Sequence, residues 1–238
     1  MNIVTWNCNM AFRKKAQFIL HSDVDIAVIQ ECENTEKLAK TFEEINHNEI
    51  IWHGNNPHKG IAIISFNECK ITLHKNFNPQ FEYILPVTLT KANQQLNLFA
   101  IWAMDNKENR AKSYIGQVWD ALQFYDELIT DKTILIGDFN SNRIWDKKRK
   151  IGNHSDVVHF LEKRKIKSIY HCQNKIEHGK ETDPTLFLLK NENKKYHMDY
   201  CFASNNIVNE KTKLNIGRYD DWIRRSDHMP IWITDLNI

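Results

Sequence analysis

Thr133-Ile134-Leu135-Ile136-Gly137-Asp138-Phe139-Asn140 is a nearly unbroken apolar run that ends abruptly in an acid and an amide. It is too short for a helix. A run without polar alternation reads as a strand covered on both faces. Asp25-Ile26-Ala27-Val28-Ile29-Gln30-Glu31 repeats the character far upstream. Working outward, Ile3–Asn7 reads as a short strand, and Phe12, Lys15, Ala16, Ile19 and Leu20 recur at helical spacing, which completes a β-α-β opening. The amphipathic segment 111–128 stands before Thr133 as the corresponding helix. Between the two units, 60–66, 70–73, 83–90 and 96–102 read as strands of an antiparallel meander. Beyond them, 154–161 is predicted as a helix, and 167–171, 185–189, 196–203, 207–216 and 230–235 as strands. Mixed β-α-β units and meanders predict an α/β chain with two sheets packed face to face and helices outside.

The 238 residues, 42% hydrophobic and 26% charged, exclude a disordered, collagen-like or coiled-coil chain and fit one domain over 1–238. Apolar runs fall far short of a membrane span. Met1–Met10 lacks the basic and apolar regions of a secretion signal, so a cytoplasmic location is expected. Five cysteines with no C-x-x-C spacing suggest neither a disulfide framework nor a zinc knuckle, and are read as buried thiols. Residues 1–138 carry 13 Lys and Arg against 17 Asp and Glu, and the remainder 19 against 13. That asymmetry suits a polyanion, although a solvated basic face would look the same. The sequence carries no signal for oligomeric state.

Polar clusters stand at the ends of the strands: Thr5-Trp6-Asn7-Cys8-Asn9, Ile29-Gln30-Glu31, Gly137-Asp138-Phe139-Asn140 and Ser226-Asp227-His228-Met229-Pro230, with His197-Met198-Asp199-Tyr200 opening a strand. Strand parity puts Asp138 and Asn140 on one face, Asn7 and Asn9 on one face, and Cys8 and Cys32 on the core side. Singly, Asp138 is an ordinary loop start and His228 an ordinary buried imidazole. Asp199 is different, because a carboxylate among Met198, Tyr200 and Phe202 needs a partner. His228 is the candidate. Glu31 poses the same problem, which a divalent cation would solve; carboxylates and amide carbonyls suit Mg²⁺.

The five clusters in this order resemble the endonuclease/exonuclease/phosphatase superfamily, with the pattern nearest its exonuclease III and apurinic/apyrimidinic endonuclease branch. WNCN, IQE, GDFN, HMDY and SDHMP match its motifs from Asn7 to Pro230. The resemblance implies a four-layer α/β sandwich and Mg²⁺-dependent phosphoester hydrolysis at the open edge of the sheets, with Mn²⁺ as an alternative ion. It implies Glu31 as principal metal ligand, Asn7 holding metal or phosphate, and Asp227 facing the metal. Asp138 would align and deprotonate water, with Asn140 fixing that water. Asp199 would accept from one nitrogen of His228, leaving the other for a phosphate oxygen.

Departures from the pattern touch the leaving group and the substrate. Trp102 stands where a Tyr or His commonly assists the leaving oxygen, which leaves a Mg²⁺-bound water, or Tyr114 or His154 from a loop, to take that part. Asn9 stands where Asp is frequent and His197 where Arg is. A phosphoinositide phosphatase would show a Trp-Cys-Asp-Arg element, which HMDY lacks. Arg143, Lys147, Lys148, Arg149 and Lys150 follow GDFN, Arg224 and Arg225 precede SDH, and Trp145 and Trp222 lie among them. With Asn9, Asn142 and Arg143, these tryptophans are the expected substrate contacts. The expectation is a DNA phosphodiesterase of low sequence specificity leaving 5′-phosphate and 3′-hydroxyl ends. A phosphatase for a small phosphorylated metabolite or lipid headgroup, and a nucleic-acid-binding module without turnover, are the alternatives.

Overall fold

Two parallel strand pairs, each requiring a long crossover, form the centre of the two large sheets. The computed structural model describes residues 1–19, 23–39, 49–147 and 150–237. The first half runs β1 (Ile3–Asn7), β2 (Ile26–Cys32), α1 (Thr35–Ala39), β3 (Ile50–Asn56), β4 (Lys59–Ser65), β5 (Lys70–Leu73), β6 (Ile84–Lys91) and β7 (Gln94–Trp102). Then come α2 (Ile115–Phe124), β8 (Thr133–Asp138), α3 (His154–Glu162), β9 (Ile166–Ser168), α4 (Ile169–Asn174), β10 (Leu186–Phe187) and β11 (Lys195–Tyr196). β12 (Asp199–Ser204), β13 (Lys213–Ile216), α5 (Tyr219–Trp222) and β14 (Ile231–Thr234) complete the chain. One sheet has the order β13-β14-β1-β2-β4-β3 and the other β5-β6-β7-β8-β12-β9, with β10-β11 a separate ribbon. β1 pairs with β2 in parallel, as β7 does with β8; the other neighbours are antiparallel.

Alternation along the strands builds the layers. Ile3, Val28, Ile63, Leu98, Ala100, Ile134, Ile136 and Cys201 share the core between the sheets. Their neighbours face outward: Phe99, Ile101, Leu135 and Phe202 pack on α2 and α3, while Val4, Trp6, Ala27 and Ile29 meet Phe12, Ala16, Ile19 and Leu38. This is the expected α/β sandwich. Continuing the inner rows by parity brings Asn7, Gln30, Asp138 and Asp199 to one end of the inter-sheet layer, where the core stops being apolar.

The glycine of GDFN is required by that packing. Gly137 has φ +139°, and a Cβ there would lie 2.0 Å from the Ile101 carbonyl oxygen and 2.7 Å from Gln30 Nε2. Gly137→Ala is therefore expected to cost about 3 kcal/mol or more from strain and overpacking. Chemical denaturation checks it; a loss under about 1 kcal/mol would show that β7 and β8 can separate locally.

Several local expectations differ from the structure. The helical spacing after β1 resolves into two short 3-10 turns, Phe12–Lys14 and Ala16–Phe18, because Glu33 takes the backbone N–H groups of Phe12 and Arg13 at 2.6 and 3.2 Å. Leu20 lies outside the described residues. Segment 167–171 turns into α4 at Ile169, with Ser168 Oγ 2.7 Å from His171 Nδ1. Segment 185–189 keeps only the two residues of β10, since Leu189 adopts φ +58°. Segment 196–203 is interrupted because Thr185 Oγ1 accepts the N–H groups of both Met198 and Asp199. Only Lys213–Ile216 of 207–216 is extended, and β3 and α5 went unread. Cys8, Cys32, Cys69 and Cys201 are buried, but Cys172 is exposed on the short α4. Among the described residues no helix is long and apolar enough to cross a membrane.

Candidate active site

Asp138 is the centre of the convergence, and its inaccessible carboxylate is held from two segments, the end of β1 and the turn after β8. Asn7 Nδ2, at the end of β1, donates to Oδ2 at 3.1 Å. After β8, Asn140 donates its backbone N–H to Oδ1 at 2.9 Å and its amide to Oδ2 at 3.0 Å. Asn140 also donates to the Ala103 carbonyl at 2.9 Å, so both amide hydrogens have acceptors and its carbonyl oxygen remains an acceptor. The pairing of Asp138 with Asn140 arises from a turn at φ +45°, not from the strand parity that suggested it.

β12 opens opposite β8, with Asp199 in register with Asp138. Asp199 Oδ2 lies 2.9 Å from His228 Nδ1, the partnership expected from sequence. His228 Nε2 is 3.8 Å from Asp138 Oδ2, beyond hydrogen-bond range, and thus keeps a donor position uncommitted. The loop bearing His228 is tied to β1 by Ser226 Oγ donating to Asn7 O at 2.7 Å and Trp6 Nε1 donating to His228 O at 2.9 Å. Segment 185–187 clamps it from the other side: Met229 N–H reaches Thr185 O at 2.7 Å and Phe187 N–H reaches Asp227 O at 2.8 Å.

Burial acts first on both titrating groups. It pushes Asp138 well above the ordinary carboxylate range, with His228 pulling it back and Asp199 adding to the rise. Burial alone would push His228 down, but Asp199 and then Asp138 override it and raise it to about 10. His228 is therefore an imidazolium at neutral pH.

Glu31 departs from the strand rule. By alternation it would face outward with Ile29; instead it takes φ +58° at a bulge where Gln30 pairs with Ile61 and Cys32 with Gly60. The extra residue re-aims the side chain. Lys59, unread in the sequence, lies 3.1 Å from Glu31 and over the Trp102 ring. Asn9 Nδ2 donates to Asp227 Oδ1 at 3.3 Å and its N–H to Asn7 Oδ1 at 3.2 Å, linking Asp227 to the Asp138 group through Asn7. Glu31, Asp227 and Asn7 are hard oxygen donors, and the ammonium already drawn to Glu31 shows that this carboxylate is placed to hold positive charge. Their donor chemistry suits a hard dication.

The remaining expected contacts divide. A cleft of about 1080 Å³ beside Asn140 is lined by Tyr114, Trp145, Lys147 and Lys150, joined by Lys107 and Arg110 from another loop. Trp145 is 46% exposed and its ring lies 5.2 Å from that of Tyr196, while Tyr114 is 41% exposed at φ +50°. Asn142 reaches the cleft wall, but its amide is spent within hydrogen-bond distance of Glu181, His197 O and Tyr200 Oη. Four of the expected contacts do not line this cleft. Trp222 is buried against Trp6 and Trp232, so it stacks on protein and not on a base. His154 is buried between Ser141 and His178. Trp102 is buried under Lys59 and against Tyr83. Arg143 turns toward the His178 carbonyl and a second cleft. Arg225 packs over Phe18, and Lys148 and Arg149 lie outside the described residues. Thr185 and Lys59 left no motif; Ser226 was visible within SDH.

A double-sheet sandwich with acid, amide and imidazole gathered at one inter-sheet end defines the class of phosphoester hydrolases. The chain belongs to the Endonuclease/Exonuclease/phosphatase family, whose pattern it matches over residues 4–228. In fold it is similar to the endonuclease domain of TRAS1, a telomere-specific non-LTR retrotransposon, with a TM-score of 0.66 and 15% identity over 100% of this chain and 98% of that one. It is likewise similar to a variant of the 3′ phosphatase NExo from Neisseria bound to product DNA hairpin, with TM-score 0.64, 17% identity and 100% of both chains covered. TDP2 from D. rerio, complexed with single strand DNA product, gives TM-score 0.60 and 15% identity over 98% and 97%. No curated protein matches in sequence.

Proposed function

We propose that the protein is a divalent-cation-dependent nuclease hydrolysing DNA phosphodiester bonds with low sequence specificity, leaving 5′-phosphate and 3′-hydroxyl ends. The carrying observation is the Asp138 carboxylate fixed by Asn7 and Asn140 with the His228 imidazolium opposite, at 3.8 Å. Asp138 accepts a proton from water whose position the Asn140 carbonyl fixes, and His228 Nε2 donates to a non-bridging phosphate oxygen. Glu31, Asp227 and Asn7 would hold Mg²⁺, or Mn²⁺ in its place, which supplies charge neutralisation on phosphorus and the leaving oxygen. Tyr114 replaces Trp102 as the side chain offered to the leaving group or its sugar, because it opens onto the cleft. Burial holds its phenol above the ordinary value, so its proton is retained.

Lys107, Arg110, Lys147 and Lys150 along the cleft support a polyanionic substrate, and phosphate contacts carry no sequence information. Fold relatives described in complex with product DNA favour DNA. The test incubates the protein with supercoiled plasmid, abasic duplex, blunt duplex and single strand, each with Mg²⁺ or EDTA, and maps the ends. Metal-dependent scission of at least one is expected; none would end the nuclease reading. Release of inorganic phosphate from small phosphoesters or a 3′-phosphate end would move the assignment to a phosphatase.

Trp145→Ala is expected to weaken binding of single strands by about 1–3 kcal/mol, the worth of one stacked base, while hydrolysis of a small phosphodiester is unchanged. Fluorescence anisotropy against a chromogenic diester separates the two. Equal losses on both substrates would place Trp145 in the folding of its loop.

A further inference from the structure

Four of the chain's eleven histidines, His154, His171, His178 and His197, gather in one layer behind the cleft wall, joined to it through Asn142. His171 and His178 stack with centroids 3.6 Å apart, and His171 Nε2 lies 2.9 Å from Glu181 Oε1. We infer that His171, His178 and Glu181 form a site for a transition-metal dication of the Zn²⁺ class. Donor atoms of these three residues lie within 4.8 Å of one another. Zn–N and Zn–O bonds of roughly 2.0–2.1 Å at tetrahedral angles put donors about 3.3 Å apart, so the donors lie within reach of one ion once the His178 ring turns out of its stack on His171 and both lone pairs converge. Two imidazoles and one carboxylate select Zn²⁺ over the hard ions that suit Glu31.

The surroundings complete the case. His171 Nδ1 is 2.7 Å from Ser168 Oγ, which leaves Nε2 for the ion. His178 Nδ1 is 3.2 Å from His154 Nε2, whose other nitrogen meets Ser141 Oγ at 3.2 Å, again leaving Nε2. Glu181 is steadied by the Gly179 N–H at 2.9 Å and the Asn142 amide at 3.1 Å. Each ligand thus has the outer partner that fixes ring orientation in metal sites. The site opens into a cleft of about 480 Å³ lined by His171, His178 and the exposed Cys172, so an ion has a way in.

An ion here would hold the long loop between α4 and β10. Residues 175–185 contain neither helix nor strand, yet the loop delivers Thr185 to the base of the Asp199–His228 pair. Metal between Glu181 on the loop and His171 on α4 would close it with one clip.

The test uses the full chain, stripped by chelator, exchanged into saturating Mg²⁺ and titrated with Zn²⁺ or Co²⁺. One Zn²⁺ per chain, d–d absorption with Co²⁺, nitrogen scatterers at about 2.0 Å and a raised melting temperature are expected. His178→Gln and Glu181→Gln should each weaken binding at least about 10-fold and abolish the thermal shift, and Ser168→Ala should weaken it about 10-fold. Glu31→Gln with Asp227→Asn should retain the ion. No Zn²⁺ uptake by the wild type, uptake unaffected by the His178 and Glu181 substitutions, or uptake lost with Glu31 and Asp227 would each overturn the proposal. These readouts do not require turnover, so the nuclease reading stands or falls separately.

Discussion

Asp138→Asn is expected to lower kcat about 10²–10⁴-fold on any phosphodiester the protein cleaves, with KM and melting temperature little changed. The side chain keeps its shape but loses the charge and proton-accepting capacity that the proposed reaction uses. Stability should hold because burial already disfavours the ionised carboxylate, so a neutral amide removes a desolvation penalty. Against that, the new amide nitrogen takes the Oδ1 position and faces the Asn140 backbone N–H donor against donor, since Oδ2 accepts from both side-chain amides. The two effects oppose each other at a cost near that of one hydrogen bond, about 1 kcal/mol. Single-turnover kinetics beside thermal melts measure both. Near-native kcat in Asp138→Asn would remove Asp138 from the chemistry, whereas a loss matched by unfolding would leave it structural.

Why the centre of the site was legible in one sequence, and its surroundings were not, follows from how each residue is placed. Asn7, Asp138 and Asp199 continue inward-facing strand rows, so period two alone locates them once the apolar rows are read. The Asp199–His228 pair was legible from the cost of a lone buried carboxylate. Glu31 has the opposite parity, and only the bulge beside Gly60 turns it inward; bulges leave little trace in hydrophobic pattern. Thr185 acts from a long loop, where no periodicity exists to read, whereas Lys59 opens β4 on the inward row of Ile61 and Ile63, one residue before the strand that the sequence suggested. Among aromatic residues near basic ones, Trp145 opens onto the cleft and Trp222 fills the layer beneath Trp6, a difference that local composition does not encode. The helical spacing of Phe12, Ala16 and Ile19 did identify the buried residues, although Glu33 held the backbone in separate turns.

Asp199→Asn is expected to move the alkaline limb of kcat/KM down by about 1–3 pH units, and His228→Ala to remove that limb with a kcat loss of about 10²-fold or more. His228 is faced by Asp199 through Nδ1, Asp138 beyond Nε2 and Asp227 from its own loop, and its folded value is raised to about 10. The unfolded imidazole titrates near 6.5. Stability from the charged ring is therefore complete below about pH 6.5 and lost as pH rises through its folded value, and activity that needs the Nε2 proton follows the same fall. Asparagine at 199 still accepts from Nδ1–H but carries no charge, so orientation survives while the imidazolium loses its chief electrostatic support. A kcat/KM profile unchanged at high pH in Asp199→Asn, with the His228 resonance titrating as in the wild type by NMR, would detach that pair from catalysis. A lowered limb with kcat preserved at pH 6 would instead show that Asp199 acts by holding the proton on His228, and that the ring donates to phosphate without serving as the base.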